Sequence, residues 1–270
     1  MIQINQNEAK NKEYTGERDS LGRKHGFGIE SDNNDYLYIG IFSHDRKEGL
    51  GILYKDKNES FKGYFKNDKM NGFGKLKNEN TEFYGYWKDD EQFDLGFEIW
   101  IDSSNYIGEY KNGKKNGIGT YIWSDKSKYE GEWINNNING YGIYYFSDGK
   151  RYEGQWRNQK MNGYGEFFWN DGKKYFGLYK EDKREGFGLH YQPNKYIFAG
   201  FWKDGQKNGL GKYIKGKSVK YGIWKNGKKE KLFEDNEDFF KSLKGDKKIY
   251  MKIFNWTVED TNKFLGIKKI

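Results

Sequence analysis

The chain has 270 residues, a net charge of +8, no Cys, one Pro and 36 Gly, with 9 Trp, 23 Tyr and 20 Phe. Zero Cys excludes disulfide frameworks, thiol catalysis and Cys-ligated zinc. No apolar run approaches the roughly 18 residues of a membrane-spanning helix, and a charge of +8 with no docking element points away from nucleic acid.

Residues 1–13 are polar and lack the apolar core of a secretory signal, so a cytoplasmic protein that does not cross a membrane is expected. From residue 14 the glycines keep time. Aromatic-x-Gly places Gly16, Gly40, Gly63, Gly85, Gly108, Gly131, Gly154, Gly177 and Gly200 at steps of 22 to 24 residues, with a degenerate tenth at Gly222. Gly-x-Gly follows in each unit, from Gly26/Gly28 to Gly209/Gly211, except that repeat four has Asp94 before Gly96. Most of the 36 glycines fall in this register, so their abundance has a structural cause.

Repeat six shows the pattern. Tyr129-Glu130-Gly131-Glu132-Trp133 alternates ring, charge, Gly, charge, ring, which is the period of a strand with one buried face. A loop of about six residues is expected next, as in Lys111 to Asn116, and Gly-x-Gly then opens a second strand. Asp148-Gly149 and Asp171-Gly172 suit tight returns to the next unit. Each unit is thus expected to be a β-hairpin, with glycine inside the strands so that a large ring on a neighbouring strand lies flat over it. A dinucleotide-loop reading of Gly-x-Gly fails, because no helix follows and the motif recurs eight times.

Tyr106-Ile107-Gly108-Glu109-Tyr110-Lys111-Asn112-Gly113-Lys114-Lys115-Asn116-Gly117-Ile118-Gly119 resembles the MORN repeat signature, with Tyr where the motif has Trp. Tyr129 to Gly142 and Tyr152 to Gly165 keep the Trp and lose the mid-loop Gly. The resemblance spans residues 14 to 227 in nine to ten repeats. It implies an all-β protein, an elongated twisted single-layer antiparallel sheet of tandem hairpins, here over residues 14–231. At the usual strand spacing, nine units extend roughly 85–90 Å. It also implies a non-enzymatic scaffold that binds other proteins of a large cytoskeletal or ciliary (axonemal) assembly, and the alternative is a membrane-surface adaptor for acidic phospholipids.

Two columns are candidate contact surfaces. Repeats four to seven carry three apolar residues in a row, and Trp100, Trp123, Phe146 and Trp169 line up as anchors for a partner helix or strand. Lys66, Lys88, Lys111, Arg157, Lys180, Lys203 and Lys225 each follow the ring after the repeat glycine and form a cationic edge for acidic protein tails or anionic lipid. His25, His44 and His190 lie in different repeats, and spacing supports neither a catalytic set nor a metal or cofactor site.

Beyond residue 231 the register stops. Phe239, Phe240 and Leu243 share one face of a short helix expected over residues 236–244. Thr257 reads as an N-cap for a second helix, and Trp256 to Asp260 resembles the opening of a SAM domain. Residues 232–270 are therefore expected to be a helical capping or docking segment, with Trp256 and Phe264 as partner contacts.

Overall fold

The computed structural model describes residues 13–32, 35–233, 238, 239 and 241. Among them the chain forms strands only in tandem order: β1 (Glu13–Arg18), β2 (Lys24–Ser31), β3 (Leu37–Ser43), β4 (Arg46–Tyr54), β5 (Ser60–Lys66), β6 (Lys69–Lys77), β7 (Thr81–Lys88), β8 (Glu91–Trp100), β9 (Asn105–Lys111), β10 (Lys114–Ile122) and β11 (Lys128–Ile134). They continue as β12 (Asn137–Tyr145), β13 (Arg151–Arg157), β14 (Lys160–Phe168), β15 (Lys174–Lys180), β16 (Lys183–Gln192), β17 (Tyr196–Lys203), β18 (Gln206–Lys215), β19 (Ser218–Lys225) and β20 (Lys228–Phe233). Two compact units emerge, residues 1–137 and 138–270. Within the first, consecutive strands from β1 to β11 pair antiparallel. Within the second, β12 to β20 do the same.

The hairpin turns are tighter than the sequence pattern suggests. Where a six-residue loop was expected, β9 runs to Lys111 and β10 starts at Lys114, leaving Asn112-Gly113 at φ +50° and +69°. Positive φ at both residues is the type I′ turn, whose twist matches that of the flanking strands. Asn67-Asp68, Asp89-Asp90 and Asn135-Asn136 do the same with residues that tolerate left-handed backbone. Some returns from one repeat to the next, by contrast, are longer than two residues. Phe146 N–H donates to Lys150 C=O and Gly149 N–H to Phe146 C=O, both at 2.9 Å, with Gly149 at φ +85°. That is a three-residue loop, a type I turn followed by a left-handed residue, and Gly172 closes an equivalent loop with Trp169.

Each turn is also stapled to the preceding hairpin. Asn136 N–H donates to Lys115 C=O at 3.0 Å, while Lys115 N–H donates to Asn136 Oδ1 at 2.8 Å. Asp68 with Lys47, Asp90 with Met70, and Asp182 with Met161 repeat the device. The turn acids thus have a structural task.

The core lies on one face. Tyr106, Gly108 and Tyr110 share that face by alternation, and Gly108 sits opposite Gly119 across the hairpin. The Tyr106 ring lies over both glycines: a Cβ on Gly119 would sit 2.5 Å from its Cζ, and a Cβ on Gly108 would sit 2.5 Å from the Gly119 Cα. The covering ring therefore belongs to the same strand, two residues before its glycine, and not only to a neighbour. Its hydroxyl donates to Glu109 C=O at 3.1 Å, and Tyr38, Tyr129 and Tyr152 make the same bond. The second ring of a repeat stands edge-on between two such tyrosines or phenylalanines. Tyr106 meets Tyr110 at 5.3 Å and 87°, and Trp133 at 5.4 Å and 83°. In the second unit Tyr152 meets Trp156 and Tyr179 likewise. Repeat four tolerates Asp94 because its φ of +58° is the left-handed conformation that Asp adopts more readily than most residues.

Replacing Gly119 by Ala is expected to lower stability by roughly 2–4 kcal/mol in urea titration, since both ring and backbone stand in the way. Gly205→Asn, at a turn position with φ +81° and nothing within 4 Å, is expected to change stability by less than about 1 kcal/mol.

Candidate interaction surfaces

The anticipated aromatic column is half-buried and packed by its own chain. Trp100 and Trp123 directly precede return loops on the core face; Tyr121 lies 5.3 Å from Trp100 and 4.6 Å from Trp123. Lys115 Nζ sits 4.6 Å over the Trp100 ring. In the second unit, Phe146 packs on Tyr144 at 4.6 Å and Trp169 on Phe167 at 4.4 Å. These residues are thus the outer margin of the ring core. Trp256, Phe264 and the helices expected over 236–244 and 256–267 lie outside the described residues, apart from Asp238, Phe239 and Lys241.

The cationic edge is exposed throughout. Lys66, Lys88, Lys111, Arg157, Lys180, Lys203 and Lys225 each end a strand at a turn. Five of them face a lysine across the hairpin, as Lys111 faces Lys114 and Arg157 faces Lys160. Ion pairs offset part of that charge: Lys160 reaches Glu181 at 2.6 Å and Lys183 reaches Asp204 at 3.5 Å. Such exposed pairs contribute little stability.

The opposite face carries the larger exposed apolar surface. In the first unit Phe27 faces Ile41, Leu50 faces Tyr64, and Phe73 faces Tyr86 across neighbouring hairpins. Leu50 is 56% exposed and Phe73 53%. The signal was present in the sequence, because the middle residue of Gly-x-Gly is apolar in every repeat that has the motif. Alternation alone places these residues opposite the glycine floor without deciding whether anything covers them.

At the C-terminal end of the second unit the same face is covered. Phe187, Phe201, Leu210 and Ile223 pack around Tyr221, Phe233 and Phe239. Phe239 is fully buried, with its ring 4.7 Å from Tyr221 and 5.4 Å from Phe233. Phe176, Leu189, Ile197, Ala199 and Ile214 form a second buried cluster on that face. Phe239 comes from beyond the repeat register, so a segment of the chain's own tail supplies part of this cover.

Cations close over the core face as well. Arg184 lies 4.1 Å over Trp202, and Lys207 lies 4.4 Å over Phe198 and 4.6 Å over Tyr196. Burial, helped by Arg184, pushes the Lys207 ammonium down to about 8. Burial also pushes His190 down to about 4, with Arg184 and Lys207 adding repulsion, and its buried Nδ1 has no hydrogen-bond partner. Among the described residues no helix is long and apolar enough to cross a membrane.

Two outcomes are expected. Phe239→Ala removes a fully buried ring and is expected to cost roughly 3–5 kcal/mol, with faster hydrogen exchange in β18 to β20. His190 titrates lower when folded than when unfolded, so the unfolded chain takes up the proton first. The stability held by neutral His190 is fully present above pH 6.5 and is lost as pH falls toward about 4. Unfolding free energies from urea titration across that window are expected to fall for the wild type by about 2–3 kcal/mol more than for His190→Gln.

The MORN repeat family model matches residues 38–59, 61–80, 106–128, 129–151, 152–174, 175–195 and 198–217. It passes over residues 81–105, the unit in which Asp94 stands in the glycine register. The SAM-like residues 256–267 lie outside all seven matches. No curated protein matches the chain. Among solved structures, the SAS-4 (dCPAP) TCP domain of Drosophila melanogaster, in complex with a proline-rich motif of Ana2 (dSTIL), is similar over 73% of this chain and 94% of that one, at 12% identity and a TM-score of 0.25. At that score the likeness carries no argument about this protein. Seven matched repeats, each falling on the hairpin register of glycine pairs and edge-on rings, cover more than half of the sequence, and the chain belongs to the MORN repeat family.

Proposed function

We propose that this protein is a non-catalytic scaffold that holds partner proteins on the apolar face of its hairpins. The supporting observation is a contrast along one face. In the first unit the Phe27/Ile41, Leu50/Tyr64 and Phe73/Tyr86 pairs are exposed, whereas Phe187, Phe201, Leu210 and Ile223 near the C-terminus are half-buried against the cluster that contains the fully buried Phe239. A surface that accepts one aromatic anchor from its own tail is chemically suited to accept others. The partner is therefore a protein segment that presents aromatic or aliphatic anchors. Our reading is that this role belongs to a cytoplasmic, cytoskeletal assembly, with the cilium or axoneme as the first place to look.

The exposed lysine edge favours a second reading, binding to anionic phospholipid. The two separate experimentally. Proximity labelling with the wild type and with Leu50→Ser/Tyr64→Ser/Phe73→Ser is expected to yield a protein set that the triple variant loses, with its circular dichroism unchanged. An identical set from both would sink the scaffold reading of this face. Co-sedimentation with phosphatidylserine vesicles at two salt concentrations is expected to show no more binding than with neutral vesicles. Strong binding that salt abolishes, and that Lys66→Glu/Lys111→Glu removes, would move the assignment to the membrane adaptor.

A further inference from the structure

The first hairpin closes differently from the others. Its turn is held by Asp19, whose Oδ1 accepts the Leu21 and Arg23 amides at 2.9 and 3.0 Å and whose Oδ2 pairs with Arg23 Nε at 2.7 Å. Next to this turn stand two histidines from different repeats. His25 occupies the position just before Gly-x-Gly that holds Glu48, Asn71, Asn116, Asn139, Asn162 and Glu185 elsewhere. His44 is the first residue of the β3–β4 turn, where other repeats have Asn67, Asn112, Asn135 and Asn158. In the two repeats that carry an acid at the first of these positions, it caps an amide at the second. Glu48 accepts the Asn67 N–H at 3.0 Å, and Glu185 accepts the Asp204 N–H at 3.1 Å. Here the capping pair is replaced by two exposed imidazoles with centroids 5.2 Å apart.

The potential ligand atoms of Asp19, His25 and His44 all lie within 4.8 Å of one another. Around one zinc ion, with ligand bonds of about 2.0–2.1 Å, tetrahedral donors sit roughly 3.3 Å apart. Small rotations of exposed rings cover the difference. His44 Nδ1 lies 3.0 Å from Ser43 Oγ, and when that nitrogen donates to the hydroxyl, Nε2 keeps a lone pair for a metal. Asp19 remains usable beside Arg23, because a carboxylate has about four lone-pair directions and the turn occupies three.

We propose that Asp19, His25 and His44 form a binding site for a divalent transition-metal cation of zinc type, with water in the remaining position. Two imidazoles and one carboxylate suit such borderline ions, whereas calcium and magnesium prefer all-oxygen shells. The ion joins the first turn to the second, where Glu48 and Glu185 make the acid–amide cap in their own repeats.

Calorimetric titration of the full chain, freed of any histidine tag, with zinc chloride tests the site. One equivalent is expected to bind, and His25→Asn and His44→Asn are each expected to weaken it by roughly tenfold or more. Asn stands at both positions in other repeats and tolerates the left-handed backbone of residue 44, so these variants preserve the hairpins. Asp19→Asn keeps the Oδ1 acceptor for the turn and is expected to weaken binding too. Absence of stoichiometric binding in the wild type overturns the proposal. So does an affinity unchanged by His44→Asn, which would place the ion elsewhere.

Discussion

A tyrosine or phenylalanine ring lying flat on two glycines is the contact that the rest of the structure depends on. The Gly108–Gly119 pair leaves a shallow floor at the centre of each hairpin, and Tyr106 fills it with its hydroxyl tied to its own strand. The next ring along then has only edge-on space, which gives the near-perpendicular ladder of Tyr106, Tyr110 and Trp133. Each buried ring removes roughly 150–250 Å² from water, on the order of 4–6 kcal/mol before the entropy of ordering the chain is subtracted. Rings on a glycine floor therefore take the place of an aliphatic core.

That arrangement commits one face of the hairpins to the core and leaves the other free to vary. Hydrogen bonding fixes the neighbours: the second turn residue of each hairpin binds the backbone of the one before. Because stability is built from such nearest-neighbour contacts, the second face contributes less to folding and can serve recognition. It is open around Leu50, Tyr64 and Phe73, and closed around Phe233 and Phe239.

The repeat, the hairpins and the use of glycine were legible in the sequence, because a step of 22 to 24 residues leaves little else to explain. The turn lengths were not. Asn112-Gly113 alone reads as a tight turn, but the lysines and asparagine after it look like loop residues until β10 shows them in a strand beside a bulge. The aromatic column from Trp100 to Trp169 was legible as apolar, while what packs against it was not. Counting from Gly96 and Gly119 in steps of two puts Trp100 and Trp123 on the core side, where Tyr121 already packs against them.

By itself, then, the sequence determined the family, the tandem hairpins and the ring-on-glycine core, since all of these follow from local periodicity and from the small size of glycine. Only the tertiary structure decided which apolar side chains remain exposed, that Phe239 returns to the last hairpins, and that His25, His44 and Asp19 converge. The physical reason is that periodicity assigns a residue to a face, whereas exposure and convergence depend on which distant segments lie over that face and on how each turn directs its side chains.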